Sequence, residues 1–136
     1  MGSAMHRLLV ASLLAALALV AAGTSAAEAD PRAQVVRGWV ALRAMDCGRC
    51  HGRDQDGWAA PSLIASVRDG TRERFDRWVL DGEIGRGMPG YRSQPMVVAE
   101  LDAIYAYLLA RTRGEIGPGD PSAAAARPAA ESVRGR

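Results

Sequence analysis

The stretch Cys47-Gly48-Arg49-Cys50-His51 decides how the rest of this chain is read. Two thiols separated by two residues can reach one edge of a porphyrin and form thioether links with its two vinyl groups. A histidine directly after the second thiol is placed to coordinate the iron as the proximal ligand. The motif therefore predicts one haem c, attached covalently through Cys47 and Cys50 and coordinated by His51.

Paired cysteines have three other uses in proteins. Zinc needs four ligands, and the chain after residue 29 has two cysteines and one histidine, so carboxylates would have to complete the site. A thioredoxin-like CxxC belongs in a βαβ unit, and no segment here alternates as a strand does. A simple disulfide that precedes haem attachment stays possible, but it leaves His51 without a role.

The second axial ligand is expected to be a methionine, because His51 is the one histidine after residue 29. Met45 lies two residues before the motif and is held to the proximal side, and Met96 begins the last predicted helix and packs there. Met88 sits in the glycine-rich segment 85–91, where the backbone can approach a haem face closely. Met88 is therefore predicted as the iron ligand, with a core-filling methionine as the alternative.

Histidine and methionine together would fill both axial positions of the iron. Oxygen binding and peroxide chemistry would then have no open position, and the reduction potential would be higher than with two histidines. The sequence thus predicts an electron carrier and not an enzyme.

Length and charge exclude several other classes. A chain of 136 residues holds one domain at most, and 17 basic residues against 15 acidic ones do not describe a strongly basic nucleic-acid binder. All the basic residues are arginines, which excludes Schiff-base lysine chemistry and a P-loop. Two cysteines are too few for a disulfide framework or for an iron–sulfur cluster with four thiolate ligands.

Residues 1–29 have the pattern of a cleavable secretory signal. One arginine precedes the uncharged apolar run Leu8–Ala22, and small residues follow, so that cleavage is expected after Ala26 or Ala29. An uncleaved membrane anchor is the alternative, but the run is shorter than the roughly 20 residues that span a bilayer. The mature protein is therefore expected to be soluble and periplasmic, without stable membrane insertion.

The remaining chain divides into a folded domain, residues 30–113, and a low-complexity tail, residues 114–136, which is predicted to be largely disordered with its first residues docked. Three amphipathic helices are predicted, at 33–44, 71–80 and 97–111. Three short helices give a marginal core for a chain of this length, so an all-α fold around a large apolar guest is expected.

At this point the sequence resembles the class I, monohaem c-type cytochromes over about residues 34–111. The shared order is a first helix, CxxCH, a loop with a proline, a middle helix, a Met-Pro loop and an aromatic last helix. The resemblance implies that the carbonyl of Pro61 accepts the proximal imidazole N–H and that Leu63 packs on the haem. It also implies that Tyr91 shields the methionine face and that Tyr105 packs across the first helix.

One departure from this family concerns the first helix. The family usually has a glycine eight residues before the first cysteine and an aromatic residue four before it, where this chain has Trp39 and Arg43. Gly38 is one position off, so the contact between the first and last helices is expected to be shifted. Trp78 has two interpretations, a hydrogen bond to a haem propionate or core packing, and Trp58 has no assigned place.

The segments 87–91, 101–108 and 116–119 make the chain similar to the small periplasmic cytochromes that accept electrons from pyrroloquinoline-quinone-dependent alcohol dehydrogenases. That likeness implies a periplasmic dehydrogenase as donor, a cytochrome or terminal oxidase as acceptor, and a monomer that binds no nucleic acid. The alternatives are a haem domain that senses a small ligand by displacing Met88, or a fixed subunit of a larger oxidoreductase. Arg49 and two further arginines are expected around the haem edge, Arg86 and Arg92.

Overall fold

The structure, a computed structural model, describes residues 30–125. The predicted signal and residues 126–136 lie outside the described residues, so the cleavage site stays a prediction. The regular elements of the described chain are helices: α1 (Pro31–Ala44), α2 (Gly48–His51), α3 (Leu63–Arg68), α4 (Arg72–Asp81), a 3₁₀ turn (Ile84–Arg86), α5 (Pro95–Thr112) and α6 (Ser122–Ala125). The predicted all-α class is confirmed.

The long helices begin and end where the local chemistry favours it. The Asp30 carboxylate accepts a hydrogen bond from the amide of Arg32 at 3.0 Å and is followed by a proline in the first turn of α1. The Thr71 hydroxyl caps α4 by accepting from the amide of Arg74 at 3.3 Å. Gly82, with a φ of 73°, ends that helix in a conformation that most other residues avoid.

The crossing of α1 and α5 forms the centre of the domain. A Cβ placed on Gly38 would lie 2.0 Å from the backbone oxygen of Ala103, so the two helices touch backbone to backbone. The shift expected from the sequence is therefore real, and the glycine at the contact is Gly38. In the turn after α1, Asp46 lies in the left-handed region at a φ of 52°.

Tyr105, which the resemblance places across the first helix, makes its ring contacts with α4 instead. The centre of the Tyr105 ring lies 5.2 Å from the centre of the Phe75 ring, and the guanidinium of Arg72 lies over the Tyr105 ring. Phe75 and Arg72 are both on α4. Tyr107 lies one helical turn beyond Ala103 and is fully buried in the core. The core cluster consists of Ala41, Leu42, Val67, Phe75, Val97, Ile104, Tyr107 and Leu108.

Packing continues past residue 113, where the sequence analysis places the end of the domain. Ile116 packs against the core cluster, and Pro121 is buried. The amide of Gly119 donates to a carboxylate oxygen of Asp54 at 3.2 Å. Within residues 30–125, none of the helices has the length and apolar character needed to cross a bilayer.

Candidate haem-binding site

A cavity of about 310 Å³ opens between the CxxCH turn, α4 and the methionine loop. This volume falls within the range of small-molecule and cofactor sites. Its walls are mostly apolar and come from every segment between α1 and α5. They consist of Leu42, Met45, Asp46, Cys47, Cys50, His51, Ala59, Ala60, Pro61, Leu63, Ser66, Phe75, Trp78, Val79, Glu83, Arg86, Gly87, Met88, Pro89, Tyr91, Val97 and Ile104.

The CxxCH motif forms a single helical turn. The amides of Cys50 and His51 donate to the carbonyl of Cys47 at 3.3 and 3.0 Å. Residues three and four apart on a helix share a face, so both sulfurs and the imidazole line the cavity together. Neither cysteine is in a disulfide, and burial raises the pKa of the Cys47 thiol.

His51 is oriented by the loop that follows it. Its Nδ1 lies 2.7 Å from the carbonyl oxygen of Pro61, the contact that the resemblance implies. The loop is closed by two backbone bonds, from the amide of Gly57 to the carbonyl of His51 and from the amide of Ala60 to that of Cys50, each of 2.9 Å. A carbonyl can only accept, so Nδ1 carries the proton and Nε2 is left with a free lone pair.

Gln55 stabilises this loop through hydrogen bonds of both its backbone and its side chain. It is 1% exposed and has a φ of 61°. Its backbone carbonyl accepts from the amide of Leu63 at 3.0 Å, and its side-chain oxygen accepts from the hydroxyl of Tyr107 at 3.3 Å. Arg111 in turn donates to that hydroxyl at 3.2 Å and to the carbonyl of Asp54 at 3.1 Å. Sequence analysis missed Gln55, because no local pattern marks a glutamine for burial.

The methionine loop is closed at its base. The amide of Glu83 donates to the carbonyl of Met88 at 2.8 Å, and the amide of Met88 donates back at 3.2 Å. The loop is tied to α4 by the amide of Tyr91, which donates to the carbonyl of Val79 at 3.0 Å. Tyr91 lines the cavity beside Met88, and burial raises the pKa of its phenol.

The three methionines of the described chain take different places. Met88 and Met45 both line the cavity, and Met45 also packs against the core. Met96 is 48% exposed and lies outside the cavity lining. The structure therefore places Met88 at the cavity, as the sequence predicts. It also places Met45 there, which the sequence analysis excludes as an iron ligand.

The two tryptophans without a fixed role are now placed. Trp78 lines the cavity, and the guanidinium of Arg74 lies 5.7 Å from the centre of its ring. Trp58 is 83% exposed, although the two residues that follow it, Ala59 and Ala60, line the cavity.

The donor atoms at the cavity fit haem c. Two thiols, one imidazole and one thioether are the groups that attach this cofactor and coordinate its iron. Apart from these donors the walls are mostly hydrocarbon, as a large apolar ring requires. No cluster of three or more histidines, cysteines and carboxylates suited to a metal ion occurs in residues 30–125, which leaves the zinc alternative without support.

Comparison with known proteins identifies the class. Residues 33–108 match the family described as "Cytochrome C oxidase, cbb3-type, subunit III". The chain belongs to this family of c-type cytochromes, whose cofactor is haem c.

Two relatives are more specific. The chain is 30% identical to cytochrome c-555 of Methylococcus capsulatus (strain ATCC 33009 / NCIMB 11132 / Bath) over 108 residues, which cover 79% of this chain and 86% of that protein. Its fold is similar to that of the c-type cytochrome XoxG from Methylobacterium extorquens AM1, with a TM-score of 0.60 and 28% identity. That match covers 65% of this chain but 56% of XoxG, so this chain spans little more than half of that relative.

Proposed function

We propose that this chain is a periplasmic one-electron carrier in which Cys47 and Cys50 would attach a single haem c and His51 and Met88 would coordinate its iron. The observation that carries the proposal is that Met88, from a loop far along the chain, lines the same apolar cavity as the three side chains of the CxxCH turn. When bound, haem c supplies a one-electron Fe(II)/Fe(III) couple.

The protein's own residues would set how that couple behaves. The Pro61 carbonyl keeps the proton of His51 on Nδ1 and so directs Nε2 toward the iron position. Leu63, Phe75 and Val79 contribute hydrocarbon to the walls, which keeps water away from the site. With His51 and Met88 both engaged, no coordination position is left for a substrate, so the proposal describes a carrier and not an enzyme.

The proposed donor is a quinoprotein alcohol dehydrogenase, and the proposed acceptor is a downstream cytochrome or oxidase. The segments shared with cytochromes of that kind support the donor, as does the similarity to cytochrome c-555 and XoxG. Reduction of the purified, oxidised protein by candidate alcohol dehydrogenases tests this directly. Failure with all of them would remove the donor assignment and leave the electron-carrier proposal standing.

A second candidate function is that of a fixed cytochrome subunit. The matching family carries the description of an oxidase subunit, which favours this reading. Copurification with a large partner in equal amounts would support the fixed subunit. Recovery of the protein as a monomer from a periplasmic extract would support the free carrier.

The ligand assignment is tested by comparing three methionine variants of the holoprotein. Oxidised haem proteins with a methionine ligand have a weak far-red charge-transfer band. We expect this band to disappear in Met88→Ala and to persist in Met45→Ala and Met96→Ala. Loss of the band in Met45→Ala alone would give the ligand role to Met45. Ready binding of carbon monoxide by the reduced wild type would favour the ligand-sensing alternative.

A further inference from the structure

Three arginines line a second, smaller cavity next to the CxxCH turn. This groove, of about 210 Å³, is formed by Leu42, Arg43, Asp46, Gly48, Arg49 and Arg53. All three arginines are exposed, and Asp46 is the single carboxylate among the lining residues. The groove therefore concentrates positive charge in a chain whose formal net charge is only +2.

Most other arginines of the described chain are neutralised by a carboxylate. Of the three expected around the haem edge, Arg86 pairs with Glu83 at 3.7 Å and Arg92 pairs with Asp81, whereas Arg49 has no carboxylate partner within residues 30–125. The arginines engaged in ion pairs include Arg37, Arg68, Arg72, Arg86, Arg92 and Arg113. None of the three groove arginines pairs with a carboxylate in the part of the chain that the structure describes, which leaves their charges available to another molecule.

The groove shares a wall with the haem cavity. Leu42 and Asp46 line both spaces, and Arg49 lies between the two cysteines of the motif. The exposed Trp58 belongs to the loop that is hydrogen-bonded to Cys50 through the amide of Ala60. A molecule seated on the groove would thus lie against the segment that carries the haem attachment.

We infer that the arginine groove is the docking surface for a redox partner that presents carboxylates. The inference rests on the proposed function, because it names the chemistry of the protein that exchanges electrons with this site. In each encounter one electron passes between the two proteins, so that one is oxidised and the other is reduced by the same single electron. Arginine and tryptophan are frequent anchors of protein interfaces, and opposite charges accelerate encounter and set orientation.

A peptide titration tests the groove without knowledge of the partner. The probe is a deca-glutamate peptide, added to the reduced, isotopically labelled holoprotein at low ionic strength, with deca-lysine as the control peptide. We expect deca-glutamate, and not deca-lysine, to shift the NMR signals of Arg43, Arg49 and Arg53. Removing one charge with Arg43→Gln or Arg53→Gln should weaken peptide binding about two- to five-fold each.

Matched variants separate local charge from net charge. Arg77 is exposed on α4 and outside both cavities, so Arg77→Gln removes the same charge elsewhere. The double variant Arg68→Gln/Arg77→Gln is matched to Arg43→Gln/Arg53→Gln. If both double variants weaken binding equally, or if the shifted signals lie on α4, the groove is not the docking surface.

The same variants separate this inference from the donor proposal. Should every alcohol dehydrogenase fail to reduce the protein while deca-glutamate still binds the groove, the donor is wrong and the surface stands. Should Arg43→Gln/Arg53→Gln accept electrons from a dehydrogenase and also pass them to an acceptor cytochrome as fast as the wild type at low salt, the donor stands and the surface is wrong.

Discussion

Gln55 orders the loop that orients the proximal histidine. A buried side-chain amide must be hydrogen-bonded to avoid a large desolvation cost, and here the Tyr107 hydroxyl satisfies its oxygen. The backbone carbonyl of the same residue holds Leu63, two residues after the proline that contacts His51. A polar contact on α5 is thereby linked to the orientation of the imidazole.

Tyr107→Phe is expected to destabilise the holoprotein by about 1–3 kcal/mol, because it deprives the buried Gln55 oxygen of a donor while keeping the ring. Denaturant unfolding measures this free energy. Tyr105→Phe is the matched control, since Tyr105 is held through its ring, and should change stability by less than about 0.5 kcal/mol. Equal effects of the two substitutions would show that the hydroxyl contact contributes nothing.

At the level of secondary-structure elements, the crossing of α1 and α5 depends on one missing side chain. The backbones meet at Gly38 and Ala103, and the fully buried Tyr107 lies on the same face of α5 as Ala103. The CxxCH turn follows the C-terminal end of α1, so this crossing holds the helix that leads into the turn against α5.

Gly38→Ala is expected to destabilise the holoprotein by about 2 kcal/mol or more, since the added carbon would overlap a backbone oxygen that only a helix displacement can move. The higher helix propensity of alanine, worth about 1 kcal/mol, does not offset this overlap. Thermal unfolding followed by circular dichroism measures the change. Gly85→Ala is the control, because a Cβ there meets nothing within 4 Å. A Gly38→Ala protein as stable as that control would contradict the packing argument.

The helices could be predicted from local signals, whereas contacts between residues far apart in the chain could not be predicted from the sequence. The caps at Asp30 and Thr71 and the glycine at position 82 act within a few residues, so the helices near them could be placed. The burial of Gln55 and the contact of Tyr105 with α4 depend on partners far along the chain. At the site, CxxCH marks its own chemistry, but the groove arginines stand out only once the ion pairs of their neighbours are known.

At the level of the whole molecule, segments from α1 to α5 all contribute to the wall of one apolar cavity. Leu63, Val79 and Met88 line this cavity while only partly buried, and full burial of such a side chain is worth about 1.5–3 kcal/mol. The entire stability of a small domain is about 5–15 kcal/mol. The cofactor is therefore expected to contribute as much to the fold as to the chemistry.

Cys47→Ser/Cys50→Ser, purified without cofactor, is expected to lose its cooperative thermal transition, because the apolar walls of the cavity then stay open to water. Circular dichroism during heating measures this, with the wild-type holoprotein as reference. Wild-type chain produced in a host that cannot attach haem serves as the control and should behave like the variant. A sharp transition in both cofactor-free proteins, near that of the holoprotein, would show that the helices alone suffice.

The paired hydrogen bonds between Glu83 and Met88 have a consequence for evolution. They close the base of the methionine loop, so its tip projects beyond a fixed clamp, with Ile84 74% exposed and open space around Gly85. Substitutions or insertions at the tip need not displace the sulfur that faces the cavity. Sequence change at Ile84 and Gly85 can thus accumulate at little cost, whereas change at Arg86 and Gly87 would alter the cavity wall and is expected to be selected against.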